Sequence, residues 1–220
     1  MKIKSFFYIA FSILISFNSL AQNKERKFKI HTLAFYNLEN LFDTINDVNK
    51  NDEASPIMEI KFNRGNIYKQ KVTNMARVIS EIGYDVTNRP PTIIGICEVE
   101  NRNVVEDLIA NEKLSKYNYG IVHYDSPDRR GIDVGLLYNK DIFKVINSNS
   151  HVLYINYNNT SDRSFTRDQL VVSGKLDGEL IHLIVNHWPS RGADETKRIA
   201  AAEVNNSIID SLRKIHNNPK

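Results

Sequence analysis

The chain has 220 residues, 41% of them apolar and 25% charged, which suits one globular domain with a real core. Its formal charge is only +3, so binding of polyanions through bulk charge is excluded and any polyanion must be held by a local site. The single cysteine, Cys97, lies in an apolar run and rules out an intramolecular disulfide, so packing has to carry the stability.

The first segment, Met1–Ala21, reads as a signal peptide. Lys2 and Lys4 precede the apolar run Phe6 to Phe17, and Ser19-Leu20-Ala21 offers small residues at a signal-peptidase site. The run is too short to span a bilayer, and no Cys follows it to carry a lipid. This reading predicts cleavage after Ala21, an exported protein (periplasmic or extracellular) with no stable membrane association, and a mature net charge of +1 once two lysines are lost. Residues 22–220 then form one domain.

Within that domain, Lys29 to Tyr36 has a strand's composition and leads into Asn37-Leu38-Glu39-Asn40. Asp43 to Pro56 is polar and reads as a mobile loop. Ile67 to Ile82 carries apolar residues at helical spacing, with Gly83 where a C-terminal cap belongs. Thr92 to Cys97 is a short apolar run of the kind buried on both faces. Asn103 and Glu106 form a capping-box pattern that predicts a helix through Leu114. Strands are predicted at Tyr119–Tyr124, Ile132–Tyr138, Phe143–Val145 and Val152–Tyr157. Asp177-Gly178 is a hairpin signal between strands Leu170–Leu176 and Leu180–Val185, and Glu195 to Ile215 is an amphipathic helix. This order argues for stacked sheets covered by helices.

Three strands end on acid, amide or imidazole: the first at Asn37, the next at Glu98 and Glu100, and the second hairpin strand at Asn186 and His187. A fourth carries Asp133 at its mouth. Charges at the ends of buried strands cost free energy unless they are paired or bind metal. Oxygen ligands without Cys suit Mg²⁺, Mn²⁺ or Ca²⁺ better than Zn²⁺, and paired His or Cys at zinc spacing is missing. The bland alternatives are that an Asn after a strand is a turn residue, that His31, His123, His151, His182 and His216 are surface or satisfied, and that Asp128-Arg129-Arg130 is a solvated loop.

The series AFYNLENLFD, IGICEVEN, DRRGIDVGLLYN, SFTRDQLVV and IVNHWPSR, in this order, resembles the endonuclease/exonuclease/phosphatase superfamily, and in particular its secreted DNases. The resemblance runs from about Lys29 to the end of the chain. It implies a four-layer α/β sandwich, two stacked mixed sheets flanked by helices, and hydrolysis of a phosphodiester by a metal-activated water. It further implies that Glu98 and Asn37 hold the metal and that His187, Asp133 and Asn37 are catalytic. Asp133 would orient His187 and raise its pKa, while Arg167 and Asn186 would contact the substrate phosphate. Mg²⁺, or Mn²⁺ or Ca²⁺, is the implied cofactor, a nucleic-acid phosphodiester the implied substrate, and a monomer the expected state. Phospholipid or sugar phosphates are the alternative substrates, and a non-catalytic binding module is the alternative class.

The family's later Gly-Asp-x-Asn and Ser-Asp-His motifs do not occur; Asp47-Val48-Asn49 is in the early polar loop, with no strand before it. The resemblance therefore covers the family's N-terminal two-thirds, the sandwich is expected to be incomplete at its C-terminal side, and the 220-residue chain alone is expected to hydrolyse phosphodiesters poorly.

Overall fold

Successive side chains of a strand point to opposite faces of its sheet, and in the first sheet both faces are buried, in two different cores. In a computed structural model that describes residues 28–157, 160–217 and 219–220, this sheet has the order β1 (Leu33–Leu41), β2 (Ile93–Val99), β4 (Asp133–Asn139), β3 (Tyr119–His123). β1 and β2 are parallel, and the other pairs are antiparallel. The second sheet has the order β5 (Phe143–His151), β8 (Gln169–Leu176), β9 (Glu179–Val185), all antiparallel. A two-residue ladder joins β6 (Ile155–Asn156) to β7 (Arg163–Ser164). The chain divides into a unit Met1–Ile30 and a unit His31–Lys220, and this architecture is that of the second. The expected signal peptide, Met1–Ala21, lies outside the described residues. Among those residues no helix is long and apolar enough to cross a membrane.

Odd-numbered residues of β2, Ile93 and Cys97, meet Phe143, Leu170, Val172 and Val185 of the second sheet in a core between the sheets. Even-numbered Ile94 and Ile96 face the other way, against Val72, Met75, Ala76 and Ile79 of helix α1 (Arg64–Glu81) and Val104, Val105 and Leu108 of helix α2 (Arg102–Ala110). Helix α3 (Glu195–Ile215) covers the far side of the second sheet, where Ile208, Leu212 and Ile215 share a cavity with Val171 and His182. The result is the expected four layers: helices, sheet, sheet, helix. β9 is an edge of the second sheet, and its His182 N–H donates to the Lys220 carbonyl at 2.8 Å.

Several elements fall where periodicity put them. α3 spans Glu195–Ile215 and is capped by the Asp194 side chain. The hairpin turn places Asp177 and Gly178 at φ 51° and 90°, the left-handed pair that a tight two-residue connection requires. Others differ. The expected strand Val152–Tyr157 is reduced to Ile155–Asn156, because the Leu153 N–H donates to the Asp168 carboxylate instead of to a neighbouring strand. The strand from Phe143 runs on to His151. The second helix starts at Arg102, not after Asn103: Asn101 is the cap, its side chain accepting from the Val104 N–H, and the helix ends at Ala110.

The segment expected to be a mobile loop, Asp43 to Pro56, is pinned. Its polar residues are spent on local turns, with Ile45 N donating to Asp43 and Asn49 N to Asp47. Asp52 is buried, and the segment is tied to the 126–129 region by Asn51 N to Arg129 O and by Lys50 Nζ to Ser126 O.

Gly174, in the central strand of the second sheet, lies against the fully buried Phe143 ring. A Cβ built there would meet the ring Cζ at 2.3 Å and the Lys144 carbonyl at 2.7 Å. Gly174→Ala should therefore lower the urea midpoint at constant m, a loss of about 1–3 kcal/mol from overpacking. An unchanged midpoint would show that the sheet can shift at no cost.

Candidate active site

β1 and β2 run in parallel to the same edge, and their register holds from Leu33↔Ile93 to Asn37↔Cys97. It then slips, so that Leu38, Glu39 and Asn40 stand opposite the single residue Glu98 before Leu41 pairs with Val99. On the other side of β2, Cys97↔Val134 is followed directly by Val99↔Asp133, so on that edge Glu98 is itself the extra residue. Glu39, Asn40 and Glu98 all take left-handed backbone, at φ 53°, 57° and 59°. Such conformations cost non-glycine residues about 1 kcal/mol or more each and persist only where the surroundings impose them. The bulge reverses the facing of the strand: Cys97 packs between the sheets, whereas Val99, two residues on, packs against the helices. Glu98 is thereby aimed out at the rim.

Its carboxylate is held from two sides. Oε1 accepts from Asn37 Nδ2 and Oε2 from the Asn40 N–H, both at 3.0 Å, while Asn37 Oδ1 accepts from the Glu39 N–H at 2.7 Å. His187 Nε2 lies 3.4 Å from Glu98 Oε1. Asn37, Glu98 and His187, expected to share a site, do form one connected group. The Nδ1 atom of His187 is buried and has no hydrogen-bond partner among the described residues.

Arg167 stands behind the imidazole, largely buried. Its Nε donates to the His187 carbonyl and Nη2 to the Trp188 carbonyl, each at 3.1 Å, and Nη1 donates to Asp128 Oδ2 at 3.2 Å. Three of its five N–H groups are thus committed to holding the turn after β9, leaving two for a ligand. Asp128 is 5% exposed and not part of a solvated loop; it also accepts from the Arg130 N–H at 3.0 Å. Sequence reasoning missed it because a run of charges reads as surface. The one cue was the Gly131-Ile132 that follows, where the chain must turn back into a strand.

Two expected roles are not found in the geometry. Asp133 does not meet His187. Its Oδ1 accepts from the Ser126 N–H and hydroxyl at 2.8 and 2.7 Å, and its Oδ2 faces His123 Nε2 at 3.1 Å. His123 ends the neighbouring strand, so it reaches Asp133 first. Asn186 points away from the rim and donates from Nδ2 to Asn205 of α3 at 3.1 Å, because strand alternation puts it on the helix side once Val185 faces the inter-sheet core. It does not line the cleft. The expected rise in the His187 pKa is also reversed: burial, and then the nearby Arg167 guanidinium, push it below 6.5, with Glu98 opposing.

Glu98, His187, Arg167 and Asp128 line one wall of a cleft of about 470 Å³, completed by Arg129, Arg130, Phe165, Trp188 and Lys197. Glu98 and Asn37 offer oxygen donors suited to a hard divalent cation, and the Glu98 oxygens have lone pairs beyond the two hydrogen bonds they accept. A second group, His123, Asp125 and Asp133, has ligand atoms within 4.8 Å of one another on the same edge. Further along, Glu100 accepts from the Asp43 N–H at 2.7 Å, and its pKa is raised to about 7, chiefly by burial and also by Asp43, Asp52 and Asp47.

The profile of the Endonuclease/Exonuclease/phosphatase family matches residues 32–220, and the chain belongs to that family. Two crystal structures of TDP2 from Caenorhabditis elegans, one with selenomethionine, superpose with a TM-score of 0.50 at 17% identity over 70% of this chain. An endonuclease/exonuclease/phosphatase from Bacteroides vulgatus is 18% identical over 83% of this chain and 59% of its own, with a TM-score of 0.48. This chain spans 40% and 41% of the lengths of the two TDP2 chains. At such identity the likeness is one of fold. No curated protein matches.

In metal-free protein, an NMR titration should place the His187 pKa below 6.5, and Glu98→Gln should lower it further by removing the one charge that raises it most. Asp133→Asn should leave it unchanged. A value above 6.5, or a shift on changing Asp133, would restore the pairing that the geometry does not contain.

Proposed function

We propose that this rim serves a divalent-metal-dependent phosphodiester hydrolase, with nucleic acid as the substrate. The observation that carries the reading is the Glu98 bulge: three left-handed non-glycine residues at the ends of two adjacent strands hold a largely buried carboxylate beside an imidazole and a guanidinium. Family membership supports the reaction class, and the basic wall of the cleft supports a polyanionic substrate.

Glu98, with Asn37, would hold the cation, Mg²⁺ or Mn²⁺ by donor type, which when bound supplies Lewis-acid stabilisation of charge on the phosphoryl oxygens. Asn37 fixes the Glu98 carboxylate and so its direction of approach. His187 donates a hydrogen bond from Nε2 to a phosphate oxygen, and its neutral form suffices for that. Arg167 sets the height of His187 and Trp188 through their carbonyls and turns its remaining N–H groups and its charge toward the cleft. The reading places the protein with exported nucleases, which rests on the Lys2, Lys4 and Ser19-Leu20-Ala21 pattern.

The test is metal-dependent hydrolysis of bis-p-nitrophenyl phosphate by the chain supplied with the C-terminal third of a close relative. Glu98→Gln should lower turnover by roughly 10²-fold or more, as expected for losing several kcal/mol of cation-derived stabilisation. Equal turnover in the variant, or turnover insensitive to EDTA, would overturn the reading.

A further inference from the structure

Six side chains next to the cleft interleave rings and cations in one continuous row. Arg163 lies over the Tyr154 ring at 5.0 Å and over the Phe165 ring at 4.8 Å. Arg129 lies over Phe165 at 5.8 Å and over Tyr157 at 5.7 Å, and Lys197 lies over Tyr157 at 5.2 Å. The order is therefore Tyr154, Arg163, Phe165, Arg129, Tyr157, Lys197. The residues come from three parts of the chain: the loop before β4, the β6–β7 ladder with its flanks, and the first turn of α3. All three rings remain exposed, Tyr154 at 59%, Phe165 at 42% and Tyr157 at 38%. Phe165, Arg129 and Lys197, the third, fourth and sixth members, also line the cleft, so the row borders the candidate site.

We infer that this row is a base-stacking ledge for single-stranded nucleic acid, placed so that nucleotides flanking the scissile phosphate lie on it. The inference rests on the phosphodiesterase reading and narrows its substrate to unpaired strands. Exposed rings serve no purpose in binding phosphates alone, for which lysines and arginines suffice. Alternation of flat rings with cations matches a strand whose bases and phosphates also alternate, and aromatic and guanidinium planes are the surfaces on which unpaired bases stack. A duplex keeps its bases stacked within the helix and presents no base face to such a row. A membrane-inserting patch would keep its rings clear of charge, whereas here Tyr154 has one cation beside its ring and Phe165 and Tyr157 have two each. The near-neutral overall charge of the chain fits a local row in place of a broad basic surface.

The experiment measures binding by fluorescence anisotropy in EDTA, which prevents cleavage. The full chain is titrated into a short labelled oligothymidylate, into a strand of equal length and charge with abasic residues, and into the corresponding duplex. The oligothymidylate should bind about tenfold or more tighter than the abasic strand, as stacking of one or two bases would give. It should also bind tighter than the duplex. Phe165→Leu and Tyr157→Leu, which keep apolar volume and remove a ring, should each reduce that preference several-fold while affinity for the abasic strand stays the same. Equal binding of normal and abasic strands by the unaltered chain, a preference for duplex, or binding to anionic vesicles that displaces the oligonucleotide would each overturn the ledge. Base-dependent binding without Glu98-dependent hydrolysis of bis-p-nitrophenyl phosphate would sustain the ledge and remove only the catalytic reading. Glu98-dependent hydrolysis without base-dependent binding would do the reverse.

Discussion

Glu98 closes a strand whose five preceding residues, Ile93 to Cys97, are buried, and its carboxylate is taken by the Asn37 amide and the Asn40 N–H. A charge in that position has to find donors or lose its ionised form. Here the donors come from the adjacent parallel strand, and they reach Glu98 only because both strands leave regular geometry together. The left-handed turns at Glu39 and Asn40 bring the backbone amide round, and the left-handed Glu98 brings the carboxylate to it. Lys71 of α1 accommodates the same distortion, donating from Nζ to the Asn40 carbonyl at 2.9 Å and also to the Glu39 carbonyl. The strain at the rim is thus over-determined by the helix layer beneath it.

From that point the neighbouring segments are locked in sequence. Asp133, opposite Val99, holds Ser126, and Lys50 also reaches the Ser126 carbonyl, so the start of the 126–131 loop is fixed from both sides. Asp128 in that loop pairs with Arg167, which in turn holds the carbonyls of His187 and Trp188. Charge-assisted bonds of this kind, made inside the protein, are among the stronger single contacts available to a side chain. Asp133 itself is taken by Ser126 and His123 and does not touch the imidazole.

Much of the fold could be read from residue order, and the reasons are particular. Glu195–Ile215 and the Asp177-Gly178 hairpin are set by local rules, helical spacing and left-handed turn residues, which tertiary packing did not override. Stacked sheets covered by helices followed from the order of strands and helices, and the four-layer sandwich from the family resemblance. The site was legible in part as a set of strand ends, which is why Asn37, Glu98 and His187 came together, and Arg167 joined them through the family resemblance. Pairings within it were not legible. Asp133 lies at the same edge as His187, yet His123 on the adjoining strand claims it, a contact that depends on strand order. Asn186 was lost to strand parity, and Asp128 hid within a charge run. The polar segment from Asp43 gave no sign of order because its polar groups bond to backbone next to them, which composition does not distinguish from solvation.

The central claim is that the Glu98 bulge is a cation-binding phosphodiester site. The most direct measurement is the anomalous difference map of a crystal of this chain soaked in Mn²⁺. The account predicts a peak within about 2–2.6 Å of the Glu98 carboxylate, with Asn37 adjacent, the distance range of divalent cation–oxygen bonds. A peak among His123, Asp125 and Asp133 with none at Glu98 would contradict it, and so would a Glu98 carboxylate left bound only to Asn37 and Asn40 at saturating Mn²⁺.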